Sequence, residues 1–128
     1  MHEPDENLDR LAHAVIGAAI AVHNELGAGL SEDMYEKALV IELNHRQLCV
    51  QRQVIFPVQY RGQPIGTTRI DLIVDGRLIV ELKACETLAP IHRSQAITYL
   101  RVTGIKLALL INFNGAILKD GIKRIVLS

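Results

Sequence analysis

The sequence predicts a mixed α/β domain with two helices, a three-stranded meander, a third helix and two final strands. Three observations carry this. Apolar residues recur at helical spacing from Leu8 to Leu26. From Cys49 the texture turns β-branched and partly alternating, broken by glycine-containing turns. After another helical stretch, Lys106 to Phe113 is almost wholly apolar, as a strand buried on both faces would be.

The first helix places Leu8, Leu11, Val15, Ala18, Ala19 and Val22 on one stripe, and Gly27 and Gly29 stop it. Ser31 offers an N-cap to a second helix reaching about His45, and Glu32 and Asp33 suit its positive end. Tyr35, Leu39 and Leu43 lie along one side of it. Strands are expected at Val50 to Tyr60, Gly66 to Val74 and Leu78 to Ala84, separated by Arg61-Gly62 and Asp75-Gly76-Arg77. Pro90 opens the third helix, Ile91 to Val102, and Gly104 closes it. The strand after it joins the meander through a crossover. Asn114-Gly115 then turns the chain into a last strand ending near Val126. The sheet is therefore mixed and flanked by helices.

With 128 residues and 49% apolar residues, the chain suits one domain over residues 1–128 with one continuous core. Fourteen basic residues balance fourteen acidic ones, so net charge advertises no nucleic-acid partner. Any such partner would meet a local patch. Arg93, Arg101, Lys106, Lys119, Lys123 and Arg124 make the second half modestly basic. Two cysteines without metal-site spacing, Cys49 and Cys85, point to a reducing compartment. The acidic start does not resemble a signal peptide, and Ala14 to Val22 is too short an apolar run to cross a bilayer. A soluble, cytoplasmic protein is expected, with no membrane partner.

The most informative stretch runs from Arg69 to Lys83. A two-residue turn at Asp75-Gly76 would set apolar residues against a face carrying Arg77, Ile79 and Glu81. A three-residue loop, Asp75-Gly76-Arg77, instead pairs Val74 with Leu78, Leu72 with Val80 and Ile70 with Leu82 on one apolar face. Burial selects this register, because a one-residue slip exchanges the faces. On the other face Asp71 and Glu81 become cross-strand neighbours, with β-carbons about 4.5–5.5 Å apart. Lys83 points the same way as Glu81. Two like charges so placed call for a cation between them, and Mg²⁺ takes one or two carboxylates while keeping water and phosphate oxygens. The alternative is a pair of solvated charges matched to Arg69 and Lys83.

Asp71 followed, after nine intervening residues, by Glu81-Leu82-Lys83 resembles the D…ExK core of the PD-(D/E)xK nuclease superfamily. The order of elements is similar to that superfamily's α-βββ-α-β core, here with an added N-terminal helix and C-terminal strand. Gln95-Ala-Ile-Thr-Tyr99 resembles the QxxxY motif of its RecB-like branch, and i,i+4 spacing puts both on one helix face. Gly29-Leu-Ser-Glu32-Asp-Met-Tyr35 resembles the signature of the GxxExxY proteins. Ile16-Gly17, Val22-His23, Ile111-Asn112-Phe113 and Lys123-Arg124-Ile125 agree with that family's context. The likeness runs from about Ala14 to Val126.

The resemblance implies a restriction-endonuclease-like fold and a metal-dependent nuclease acting on DNA or RNA. Asp71 and Glu81, with the Leu82 backbone carbonyl, would hold Mg²⁺ or Mn²⁺. Lys83 would orient the attacking water or steady the developing charge. Glu32 would add a carboxylate at the metal's edge, or merely complement the helix dipole. Gln95 and Tyr99 would contact substrate phosphate or anchor the catalytic strand. Tyr35 is a supporting residue or core, and His23 a supporting residue or a satisfied buried histidine. Two rival functions remain on the same fold, a non-catalytic nucleic-acid-binding or protein-interaction module and a hydrolase of small phosphorylated molecules. A homodimer or larger complex is compatible with the small size.

Overall fold

The structure is a computed structural model that describes residues 5–127; the ends of the expected domain, residues 1–4 and 128, lie outside the described residues. The elements follow the expected order. Helix α1 spans Glu6–Leu26, helix α2 Glu32–His45, strand β1 Val50–Tyr60, strand β2 Gln63–Val74 and strand β3 Leu78–Lys83. Helix α3 then spans Pro90–Thr103, strand β4 Leu107–Asn112 and strand β5 Ile122–Val126.

Local chemistry fixes the helix ends. Asp5 caps α1 by accepting the Leu8 amide at 2.7 Å, and Ser31 caps α2 by accepting that of Met34 at 3.3 Å. Gly104 closes α3 at φ 77°, a conformation that costs glycine little.

The sheet has the order β1-β2-β3-β4-β5, antiparallel throughout except for the parallel pair β3–β4 that the α3 crossover creates. Helices α1 and α2 cover one face over a core that includes Leu72, Val74, Leu78, Val80 and Leu82. Helix α3 covers the other over Ile73, Ile79, Ala108 and Leu110. Every residue of β4 is buried, as its apolar run requires of a central strand.

Three expectations are corrected. Strand β2 starts at Gln63 rather than Gly66, because the Arg61-Gly62 turn pairs Tyr60 directly with Gln63. Asn114-Gly115 is not a tight turn. A 3₁₀ turn at Leu118–Gly121 intervenes before β5, with Leu118 buried in the α1/α2-side core and Gly121 packed against the Asn112 backbone.

Ile70 does not share a face with Leu72. It belongs to the α3-side core, together with Val54 from the neighbouring strand. The change coincides with a kink in the neighbouring strand β1, where Gln53 has φ 49° in mid-strand. The β1–β2 ladder runs in constant register on both sides, from Arg52↔Leu72 to Val54↔Ile70, and skips Gln53 opposite Asp71. Beyond that kink the side chains change layers. A left-handed conformation at a non-glycine residue costs about 1–3 kcal/mol and persists only where its surroundings hold it.

Candidate active site

Of the three pairs inferred from burial, Ile70–Leu82 does not form, and those two residues lie in different layers. The other two are observed, Val74 with Leu78 and Leu72 with Val80, with Ile73 opposite Ile79 between them. One step further the backbone ladder stops and side chains take over. The Asp71 amide donates to Glu81 Oε1 at 2.9 Å, and the Leu82 amide donates to Asp71 Oδ2 at 2.9 Å. Two carboxylates thus hold each other's strand. One oxygen of each is spent in this way; the other has no hydrogen-bond partner among the described residues.

Glu81 is buried and Asp71 half-buried. Burial first, and then the charge of Asp71, push the Glu81 carboxyl up from 4.5 to about 8. The pair is therefore strained as two anions and would be relieved by a cation between them. No group of three or more His, Cys, Asp or Glu side chains capable of holding a metal is gathered among the described residues. A pair of hard oxygen donors suits an ion such as Mg²⁺, which keeps several waters and takes substrate phosphate oxygens. The donors present fit such an ion, with Asp71 and Glu81 as its side-chain ligands.

The pair opens onto a cavity of about 530 Å³. Strand β3 brings Lys83 to it, and β2 brings Thr67, Thr68 and Arg69. Helix α3 contributes Gln95 and Tyr99, one turn apart, and the first turns of α2 contribute Glu32, Asp33 and Glu36. Because β2 and β3 part here, both helical layers reach one opening. Arg69 and Lys83 form no ion pair among the described residues, so both cations are available to an anionic ligand.

The remaining candidates lie elsewhere. Tyr35 is fully buried, donates its hydroxyl to the Gly27 carbonyl at 2.5 Å, accepts the Leu30 amide at 3.2 Å and stacks on Phe113. It ties the loop between α1 and α2 to the core. The His23 Nε2 lies 2.9 Å from the Gly115 carbonyl in the same layer, and the ring does not line the cavity. Its partner across 92 residues explains a polar ring on an apolar helix face. His92 accepts the Ala89 amide through Nδ1 at the start of α3 and is also outside the cavity.

Sequence reasoning missed Glu36 and Gln53. Glu36 is buried, and its Oε1 accepts from Gln53 Nε2 at 2.6 Å. Its Oε2 accepts from Arg52 Nε at 2.9 Å and Nη2 at 2.7 Å. The available signal was its position one helical turn after Glu32. Gln53 carries none, since nothing local marks a glutamine for positive φ.

The family model described as the PD-(D/E)XK nuclease superfamily matches residues 9–125. The chain belongs to the PD-(D/E)XK nuclease superfamily. Its five-stranded mixed sheet between helices is the restriction-endonuclease-like fold of that superfamily. Superfamily nucleases generally use divalent metals and take nucleic acid as substrate. No curated protein and no solved structure gives a significant match.

Proposed function

We propose that this chain is a divalent-metal-dependent nuclease that hydrolyses phosphodiester bonds of DNA or RNA at a site built on Asp71, Glu81 and Lys83. The observation that carries the reading is the Asp71–Glu81 pair, cross-bonded to each other's strand and held at the wall of an open cavity. As two anions these buried-edge carboxylates weaken the protein unless a proton or a cation relieves them, which is an expense that a binding function explains.

Asp71 and Glu81, with the Leu82 carbonyl, would hold Mg²⁺ or Mn²⁺. The ion supplies Lewis-acid polarisation of the phosphate and an activated water. Lys83, two residues beyond Glu81 on the same strand, offers an ammonium that orients the water and stabilises charge developing on the phosphoryl oxygens. Arg69 brings a second cation to bind a phosphate of the chain being cut. Gln95 and Tyr99 offer hydrogen-bonding groups from α3, and Glu32 stands at the cavity rim on α2 as an additional carboxylate for the metal's water shell. The Gly29…Glu32…Tyr35 signature supports placement among the GxxExxY proteins, and Gln95…Tyr99 supports the RecB-like branch.

The test is a cleavage time course on labelled single-stranded DNA, duplex DNA and RNA with Mg²⁺, Mn²⁺ or EDTA. Wild type is run beside Glu81→Ala and Lys83→Ala from identical preparations. Cleavage of at least one substrate should vanish in EDTA and in both variants. Cleavage that persists in both variants, or none by wild type under any condition, contradicts the proposal.

A further inference from the structure

The proposed reaction assigns no step to Glu36, although its carboxylate is buried at the cavity wall. All three of its hydrogen bonds come from two consecutive residues of β1, Arg52 and Gln53. Arg52 also reaches towards Asp33 at 3.8 Å, which ties the same guanidinium to the start of α2 twice.

Gln53 is the residue that needs holding. Among the described residues four non-glycine ones have positive φ, and the other three, Gln47, Arg61 and Asp75, stand in connections between elements. Gln53 alone adopts it inside a strand, and it does so opposite Asp71, at the interruption of the β1–β2 ladder. There β2 changes layers, and there Asp71 leaves regular pairing with β3 for the exchange of bonds with Glu81 and Leu82. The β1 kink and the Asp71 geometry are two sides of one distortion.

We propose that Glu36 is a positioning residue: by clamping Arg52 and Gln53 it holds the β1 kink that turns Asp71 into its mutual bonds with the Glu81 strand, and so pre-forms the cation site. The cation half rests on the reading of Asp71 and Glu81 as the metal-holding pair; the geometric half stands without it. A direct ligand role fits poorly, because both Glu36 oxygens are already committed to β1.

Two readouts on the whole chain decide the matter. Amide hydrogen exchange in EDTA reports the Asp71 and Leu82 amides, which the two carboxylates hold. Electron paramagnetic resonance reports Mn²⁺ affinity. Glu36→Ala should speed exchange at both amides at least about tenfold and weaken Mn²⁺ binding by about 10- to 100-fold, the usual range for residues supporting metal ligands. Adding Gln53→Gly to Glu36→Ala should restore both, because glycine takes positive φ without a clamp.

Exchange and affinity like wild type in Glu36→Ala would overturn the inference. So would a double variant as impaired as Glu36→Ala, which would make Glu36 a ligand or a general prop. Should Glu36→Ala not fold, Glu36→Gln with and without Gln53→Gly carries the same comparison. If wild type shows no Glu81-dependent Mn²⁺ binding, the metal reading fails, and the exchange data alone still decide whether Glu36 holds the kink.

Discussion

The two ends of the β2–β3 pair obey different rules within a few residues. From Val74/Leu78 to Leu72/Val80 the ladder is regular, both strands are buried and the side chains alternate cleanly between the two layers. From Asp71 and Glu81 onward, carboxylates replace backbone partners, one neighbouring strand kinks, and the apolar faces exchange. The first end is what folding needs, with like residues packed in register. The second end departs from each of those preferences, and it is where the cavity opens. Departures from local rules are expected where a chain is built for function rather than stability, and the proposed site stands at the end that departs from them.

The comparison can be broken at either end. The largest effect is expected at the irregular one. Asp71→Ala should lower nuclease activity by at least about a thousandfold, about 4 kcal/mol of barrier, while leaving the circular dichroism spectrum intact. A variant that cleaves at near wild-type rate would remove Asp71 from the chemistry. At the regular end, Leu72→Ala should cost about 3 kcal/mol of stability by opening a cavity under α1 and α2. Denaturant unfolding checks this, and the folded fraction should keep its Mn²⁺ affinity. A change in affinity matching that of Asp71→Ala would mean that the two ends are not separable.

Protonation sharpens the contrast. Glu81 holds its proton up to about pH 8 in the folded, metal-free protein, against an ordinary value of 4.5. The folded state therefore binds more protons than the unfolded one between these values. This contribution to stability is fully present below about pH 4.5 and is lost as pH rises through 8. In EDTA, Tm should fall by several degrees over that window. Glu81→Gln should flatten the fall, and Mg²⁺ should oppose it by favouring the ionised pair. A Tm that rises from pH 5 to 8 in wild type and variant alike would contradict the assignment. The smallest effect belongs to Tyr35→Phe, which loses the hydroxyl bonds to Gly27 and Leu30 and should cost about 1 kcal/mol. Its thermal unfolding should shift, and its cleavage rate should not.

Burial patterns made the regular end legible. The α1 stripe predicted from spacing is buried at every named position, and the three-residue loop follows from asking which register keeps Leu72, Val74, Leu78 and Val80 together. The same reasoning brought Asp71 and Glu81 side by side, since a register fixed by apolar residues also fixes their polar neighbours. It failed for Ile70, because simple alternation assumes an undistorted strand, and here β1 and β2 are distorted together at Gln53 and Asp71. Glu36 and Gln53 were illegible for a related reason: they meet across 17 residues, on a helix and a strand, and neither has a local pattern that announces the other. The burial of Tyr35 was legible as one of two alternatives, but its loop-tying hydroxyl was not, since that bond depends on where Gly27 and Leu30 fall in space.

The central claim is that Asp71 and Glu81 share a divalent cation at the open end of the β2–β3 pair. Anomalous diffraction from crystals soaked in Mn²⁺ tests it most directly. One peak should stand between the two carboxylates, at about 2.0–2.2 Å from an oxygen of each, the distance expected of a small hard cation, and it should be absent from Glu81→Ala crystals. A cation bound elsewhere in the cavity, or a peak that survives in Glu81→Ala, would contradict the account.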